Sequence, residues 1–167
     1  VIDHSTSTEE AAGSTGGKSG KGGDILYRWG RASNYDRGGE RPQTLYNQHH
    51  VHWIAEGLPG AGNISLFMNN FPGPRGRQSV AVELVPPMDD QGRYVIEDAE
   101  QFGPEFPAWI YMANDGPSFH SPFISSAHRL PNGHTFIASG AQGRFFEVTP
   151  KGEIVWEYWN PYAGEPE

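Results

Sequence analysis

"SSAHRLPNGHTFIASGAQGRFFEVTPKGEIVWEYW" (125–159) reads as four short strands in a row. A central strand carries His128, a second follows the tight turn at Gly133, a third ends at Pro150, and an aromatic outer strand closes the set. Apolar and polar residues alternate through the stretch, and Pro and Gly punctuate it, as expected of antiparallel strands joined by tight turns.

The same order occurs earlier in the chain. "HHVHWIAEGLPGAGNISLFMNN" (49–70) aligns with "SSAHRLPNGHTFIASG" (125–140), with His52 on His128 and the Gly62-Asn63 turn on Gly133-His134. "SVAVELVPP" (79–87) then aligns with "RFFEVTP" (144–150), and "AWIYM" (108–112) with "EIVWEYW" (153–159). "DILYRWG" (24–30) resembles that last strand and reads as the outer strand of a preceding repeat.

Tandem four-stranded repeats point to an all-β fold and to a β-propeller, whose blades bury their apolar faces against one another. The repeat spacing, 128 less 52 or 76 residues, exceeds the roughly 40–45 of a compact blade. A polar, turn-rich insertion at 87–107 accounts for the excess. The expected organisation is a strand stub and Gly-rich loop at 1–23, an outer strand at 24–30, a blade at 49–112 with its insertion, a compact blade at 124–159 and a tail at 160–167. About two blades plus an outer strand do not close a ring of four to eight. The chain is therefore expected to be part of a longer propeller or to complete one with other chains, and its start at "VIDHST" without Met fits a processed or truncated product. A β-sandwich is the alternative all-β reading.

Composition agrees with short strands and many turns: 167 residues contain 22 Gly, 14 Pro and 13% aromatics. The net charge of −8 disfavours nucleic acid and anionic membranes as partners. Cysteine is absent, which excludes disulfides, thiolate metal sites and cysteine nucleophiles. No apolar run is long enough to span a membrane. "AAGSTGGKSGKGGD" (11–24) ends like a phosphate-binding loop at Gly17, Lys18 and Ser19. Ala12 stands where that motif needs glycine, and glycines rather than a helix follow.

"VIDHSTSTEEAAGSTGGKSGKGGDILYRWG", "QHHVHWIAEGLPGAGNISLFMNN" and "SFHSPFISSAHRLPNGHTFIASGAQGRFFEVTPKGEIVWEYWNP" together resemble the bacterial arylsulfate sulfotransferase family, particularly its environmental branch and the C-terminal part of its propeller. The resemblance implies a six-bladed propeller that transfers a sulfuryl group from an aryl sulfate to a phenol through a sulfated histidine, outside the cytoplasm. It implies no nucleotide sulfate donor, and no cofactor is expected. Where the family has Gln-His-Asp, this chain has Gln48-His49-His50.

Sulfuryl transfer needs a neutral imidazole and fixed donors aimed at the sulfate oxygens. His49 or His52 is the candidate imidazole, and Asn69 and Asn70 are candidate neutral donors. Arg75 or Arg77 is the candidate anion clamp, because a guanidinium donates two hydrogen bonds to one sulfate. His120, in "PSFHSPF", is a further substrate-binding candidate from a loop. Histidines 49, 50 and 52 are equally compatible with a polar strand lining an open channel. A metal site at His50 and His52 is not expected, for want of a neighbouring carboxylate or thiol ligand. Trp109, Trp156, Tyr158 and Trp159 read as packing residues, and the acidic run Asp89, Asp90, Glu97, Asp98 and Glu100 as a solvated loop.

Overall fold

A computed structural model describes residues 1–37, 43–98 and 100–162. The chain divides into two compact units, one of Val1–Thr44 with Pro86–Glu105 and one of Leu45–Val85 with Phe106–Glu167.

The second unit holds the eight strands found among the described residues, in two antiparallel four-stranded sheets. Strands β1 (Gln48–Trp53), β2 (Ile64–Gly73), β3 (Gly76–Leu84) and β4 (Trp109–Tyr111) form the first sheet in chain order. Strands β5 (Ser126–Arg129), β6 (Thr135–Ser139), β7 (Arg144–Val148) and β8 (Ile154–Trp159) form the other in the same way. The described residues form an all-β architecture with little helix and no closed barrel.

Turn chemistry sets the registers. Gly62 and Gly133 adopt φ values of +85° and +84°, a region that residues with a Cβ seldom enter. After each, one hydrogen bond closes the hairpin: Ile54 N–H to the Asn63 carbonyl and Leu130 N–H to the His134 carbonyl, both 2.8 Å. His52 consequently pairs with Ser65, and His128 with Phe136, in the same register. Trp109 lies opposite Glu83 and Trp156 opposite Glu147. The stacked pairs Trp109–Tyr111 and Trp156–Tyr158, each with centroids 6.4 Å apart, thus recur at equivalent places.

The core is built from one side-chain row of each sheet. Phe67, Ala81 and Tyr111 are in register across β2, β3 and β4, and Ala127, Ile137 and Phe146 across β5, β6 and β7. Phe119, from the β4–β5 loop, is fully buried with these rows. Its ring meets Phe67 edge-on at 5.6 Å and Phe146 edge-on at 5.3 Å, the geometry that aromatic quadrupoles favour.

In the first unit, the outer strand expected over 24–30 is not formed. Residues 25–29 have no strand ladder, and their backbone bonds run to Val1: Leu26 N–H donates to the Val1 carbonyl at 2.9 Å, and the Val1 ammonium donates to the Tyr27 carbonyl at 2.6 Å. Side chains hold the segment instead. Tyr27 is buried, stacks on Tyr94 at 5.1 Å and donates from its hydroxyl to the Gly103 carbonyl at 2.9 Å. Burial of that ring pushes the Tyr27 phenol above its usual range. Between β3 and β4, the expected insertion shows one isolated bridge, Met88 to Tyr94, and supplies both Tyr94 and Phe102 to the aromatic cluster around Tyr27.

The Gly-rich loop follows α1 (Thr8–Ala11), whose capping box joins Ser7 and Glu10. The loop's amides are already occupied by carboxylates of the same unit. Ser19 N–H donates to Asp3 Oδ2 at 2.7 Å, and Gly17 N–H to Glu10 Oε1 at 3.3 Å. Hydrogen bonds from the Ser5 side chain and then the Ser19 backbone hold the Asp3 carboxyl below its usual range, and backbone bonds from Ser7 and then Gly17 do the same for Glu10. A phosphate would have to displace two anions, so the sequence and the structure agree in rejecting a nucleotide loop.

Candidate functional site

Antiparallel pairing brings several of the expected residues to one end of the first sheet. Gln48, the first residue of β1, lies opposite Met68. Asn69, Asn70 and the hairpin that carries Arg75 therefore extend past the start of β1. Strand β4 leads to that same end, because Tyr111 lies opposite Ala81, and the β4–β5 loop carrying His120 begins there.

Asn69 and Asn70 differ sharply in setting. Asn69 is fully buried, and its amide donates to the Ser121 carbonyl at 2.6 Å and the Ile124 carbonyl at 2.9 Å. Its Oδ1 has no hydrogen-bond partner. Ser79 reinforces the same loop, donating from Oγ to the Asn69 carbonyl at 3.1 Å and accepting from Ser121 N–H at 2.9 Å. Ile124 has a φ of +44°, costly for a β-branched residue, and Asn69 braces that turn. Asn69 thus acts on the loop's conformation, its amide donors being taken by the Ser121 and Ile124 carbonyls.

Asn70 is half-buried. Its Nδ2 donates to Asn47 Oδ1 at 3.2 Å and to the Pro122 carbonyl at 3.0 Å. Since a carbonyl only accepts, Oδ1 is the atom facing His120, whose Nε2 lies 3.1 Å away. In neutral His120, Nε2 therefore carries the proton and Nδ1 keeps its lone pair. The Asn47–Asn70–His120 chain orients one imidazole and selects its tautomer.

His49 is exposed on β1 opposite Phe67, and its side chain makes no hydrogen bond among the described residues. Arg75 and Arg77 are exposed on and beside the β2–β3 hairpin, and neither forms an ion pair among the described residues. Among the described residues no hydrogen bond or ion pair joins either arginine to a candidate histidine.

His52 belongs to a different group. The register shifts between His49 and His52, and His50 takes a left-handed φ of +52°, as at a bulge that re-aims a side chain. The His50 ring then lies 4.2 Å from the rings of both His52 and His128, which are themselves 5.5 Å apart. Each of the three offers a ligand-type nitrogen, and those atoms lie within 4.8 Å of one another. Desolvation where the rings crowd, then the neighbouring His52 and His128, hold His50 below the usual histidine range; desolvation and His52 do the same to His128. That direction favours the neutral form of His50 and of His128. The sequence weighs His50 with His52 as metal ligands, whereas His128, the third member of the group, carries no such signal, because nothing in either strand alone brings the two strands together.

A groove of about 990 Å³ in the first unit is lined by Asp3, Lys18, Lys21, Arg93, Tyr94 and Phe102 among others. None of the expected catalytic or substrate-binding residues lines it. No helix among the described residues is long and apolar enough to cross a membrane. Comparison with known proteins finds no matching family model, no matching curated protein and no matching solved structure.

Proposed function

We propose that the chain supplies neighbouring blades of a six-bladed β-propeller that transfers a sulfuryl group from an aryl sulfate to a phenol through a histidine. The observation that carries this reading is the gathering of His49, Asn70, His120, Arg75 and Arg77 at one end of the first sheet. The resemblance of the surrounding strands to arylsulfate sulfotransferases supplies the reaction, and with it a location outside the cytoplasm.

In this reading, the His49 imidazole attacks the sulfur of the aryl sulfate. A nitrogen–sulfur bond forms, the sulfur–oxygen bond to the aryl group breaks, and phenolate leaves. The acceptor phenol then attacks the sulfuryl-histidine: a sulfur–oxygen bond forms, the nitrogen–sulfur bond to His49 breaks and frees the imidazole, and the phenol's proton passes to Nδ1 of His120, which returns it to solvent. Asn70 holds His120 in the tautomer that can accept that proton. Arg75 or Arg77 meets the negative charge on the sulfate oxygens. No metal or organic cofactor is required for these steps.

The test is steady-state phenol release by the intact protein supplied with p-nitrophenyl sulfate and phenol. His49→Ala reduces turnover to background, and His120→Ala lowers it by about 10²–10⁴-fold. His49→Ala keeps its melting behaviour, since substitutions at exposed sites usually change stability by about 0.5 kcal/mol or less. Undiminished turnover in His49→Ala would remove His49 from the mechanism.

A second reading, a non-catalytic binding or assembly module, has one observation in its favour. Every residue of β8 is exposed, including Trp156, Tyr158 and Trp159, and an exposed aromatic edge strand favours association. Absence of turnover with several aryl sulfates, together with a smaller assembly mass for Trp156→Glu, would select it.

A further inference from the structure

We infer that His50, His52 and His128 form a binding site for a divalent late transition-metal ion, zinc foremost, with its fourth coordination position open to water. The site is independent of the sulfuryl-transfer reading and uses none of the residues given roles there.

Backbone geometry brings the three rings together. The bulge between His49 and His52 and the left-handed backbone of His50 turn two imidazoles of β1 toward β5, where His128 completes the group. Histidine is among the residues that tolerate this backbone region best. The ligand nitrogens lie within 4.8 Å of one another. Tetrahedral zinc with bonds of about 2.0–2.1 Å requires nitrogens about 3.4 Å apart. Small side-chain rotations close that difference, and the exposure of His50 and His128 leaves room for them.

Tautomers favour the same conclusion. His52 Nδ1 lies 3.0 Å from the His50 carbonyl. A carbonyl accepts only, so Nδ1 carries the proton and Nε2 presents its lone pair. Histidine metal ligands are ordinarily oriented by such a carbonyl on the opposite nitrogen. Three imidazole ligands without thiolate or carboxylate suit zinc, copper or cobalt and discriminate against magnesium and calcium. Three histidine ligands with a free fourth position are also the pattern of a zinc ion that holds a reactive water.

The experiment titrates the chelator-stripped, intact protein with Co²⁺, follows visible d–d absorption and then displaces the cobalt with Zn²⁺. The site predicts one ion per chain and the intense spectrum of four-coordinate cobalt. His128→Gln and His52→Gln should each weaken binding about 100-fold or more, since even outer-shell partners are worth 10–100-fold. His50→Asn, which keeps the left-handed backbone accessible, provides a third ligand deletion with little risk to folding. His49→Ala and His120→Ala leave binding unchanged. No uptake, a weak six-coordinate spectrum, or affinity unaltered by His128→Gln would overturn the site, and unaltered melting curves identify the variants in which that comparison holds.

Discussion

Glu83 on β3 and Arg129 on β5 form a buried ion pair that ties the two sheets together. Further bonds engage both groups: Asn63 Nδ2 donates to Glu83 Oε1 at 2.6 Å, and Arg129 donates to the Gly133 carbonyl at 2.8 Å, while the buried Arg129 Nε has no partner among the described residues. The Arg129 guanidinium also lies 5.5 Å from the centroid of the Trp109 ring. The pair thus joins both hairpin turns, at Asn63 and Gly133, to the outer strand β4.

Removing one partner strands the other charge in a dry setting. Arg129→Met alone, or Glu83→Gln alone, is therefore expected to cost about 3–5 kcal/mol, whereas replacing both with apolar residues recovers much of the loss. Urea unfolding of the two single variants and the double variant measures the coupling. Additive losses would show that the pair does not act as a unit.

The adjacent asparagines should separate stability from chemistry. Asn69→Ala removes the donors that satisfy Ser121 and Ile124 and is expected to destabilise by about 1–3 kcal/mol, the cost of leaving buried polar groups unpaired. Asn70→Ala should lower turnover more than stability, because it releases the tautomer of the half-buried His120. Nitrogen-15 shifts of the His120 ring report the tautomer directly. An unchanged Nε2–H preference in Asn70→Ala would contradict the role given to Asn70.

The Gly-rich loop should respond to acid. Side-chain and backbone bonds from Ser5 and a backbone bond from Ser19 hold the Asp3 carboxyl below its ordinary value. The unfolded chain therefore binds the proton more readily than the folded one. The stability contributed by these bonds is present above the ordinary carboxylate pKa, near 3.9, and is lost as pH falls through the lower folded value. Amide exchange at Ser19 and Lys18 should accelerate across that acid window in the native protein. In Asp3→Asn, exchange at Ser19 is expected to be fast already at neutral pH and to lose its dependence on acid.

Legibility from the sequence followed the locality of the cause. The turns at Gly62 and Gly133 are encoded by adjacent residues, so the pairing of His52 with Ser65 and of His128 with Phe136 could be read from the aligned repeat. The apolar strands of β2 and β3 were equally visible as continuous runs. Residues 24–30 misled because an aromatic, β-branched composition describes a fit to a surface, and that surface is the Tyr94 and Phe102 cluster rather than a neighbouring strand. The three-histidine group depended on a bulge at His50 and on two strands 76 positions apart in the chain. Neither has a local signal, although the alignment of His52 with His128 was the available clue. Likewise, Asn69 and Asn70 are identical in type, and only the fold assigns one to the loop and the other to His120.

The central claim, sulfuryl transfer through His49, is tested most directly by trapping the intermediate. The intact protein is mixed with an aryl sulfate in the absence of acceptor, quenched in alkali and mapped by peptide mass spectrometry. The account predicts the mass of one added sulfuryl group on the peptide containing His49, its disappearance when a phenol is added before quenching, and its absence in His49→Ala. A protein that releases phenol from the donor while no sulfuryl group appears on His49, or while the group appears on another residue, would contradict it.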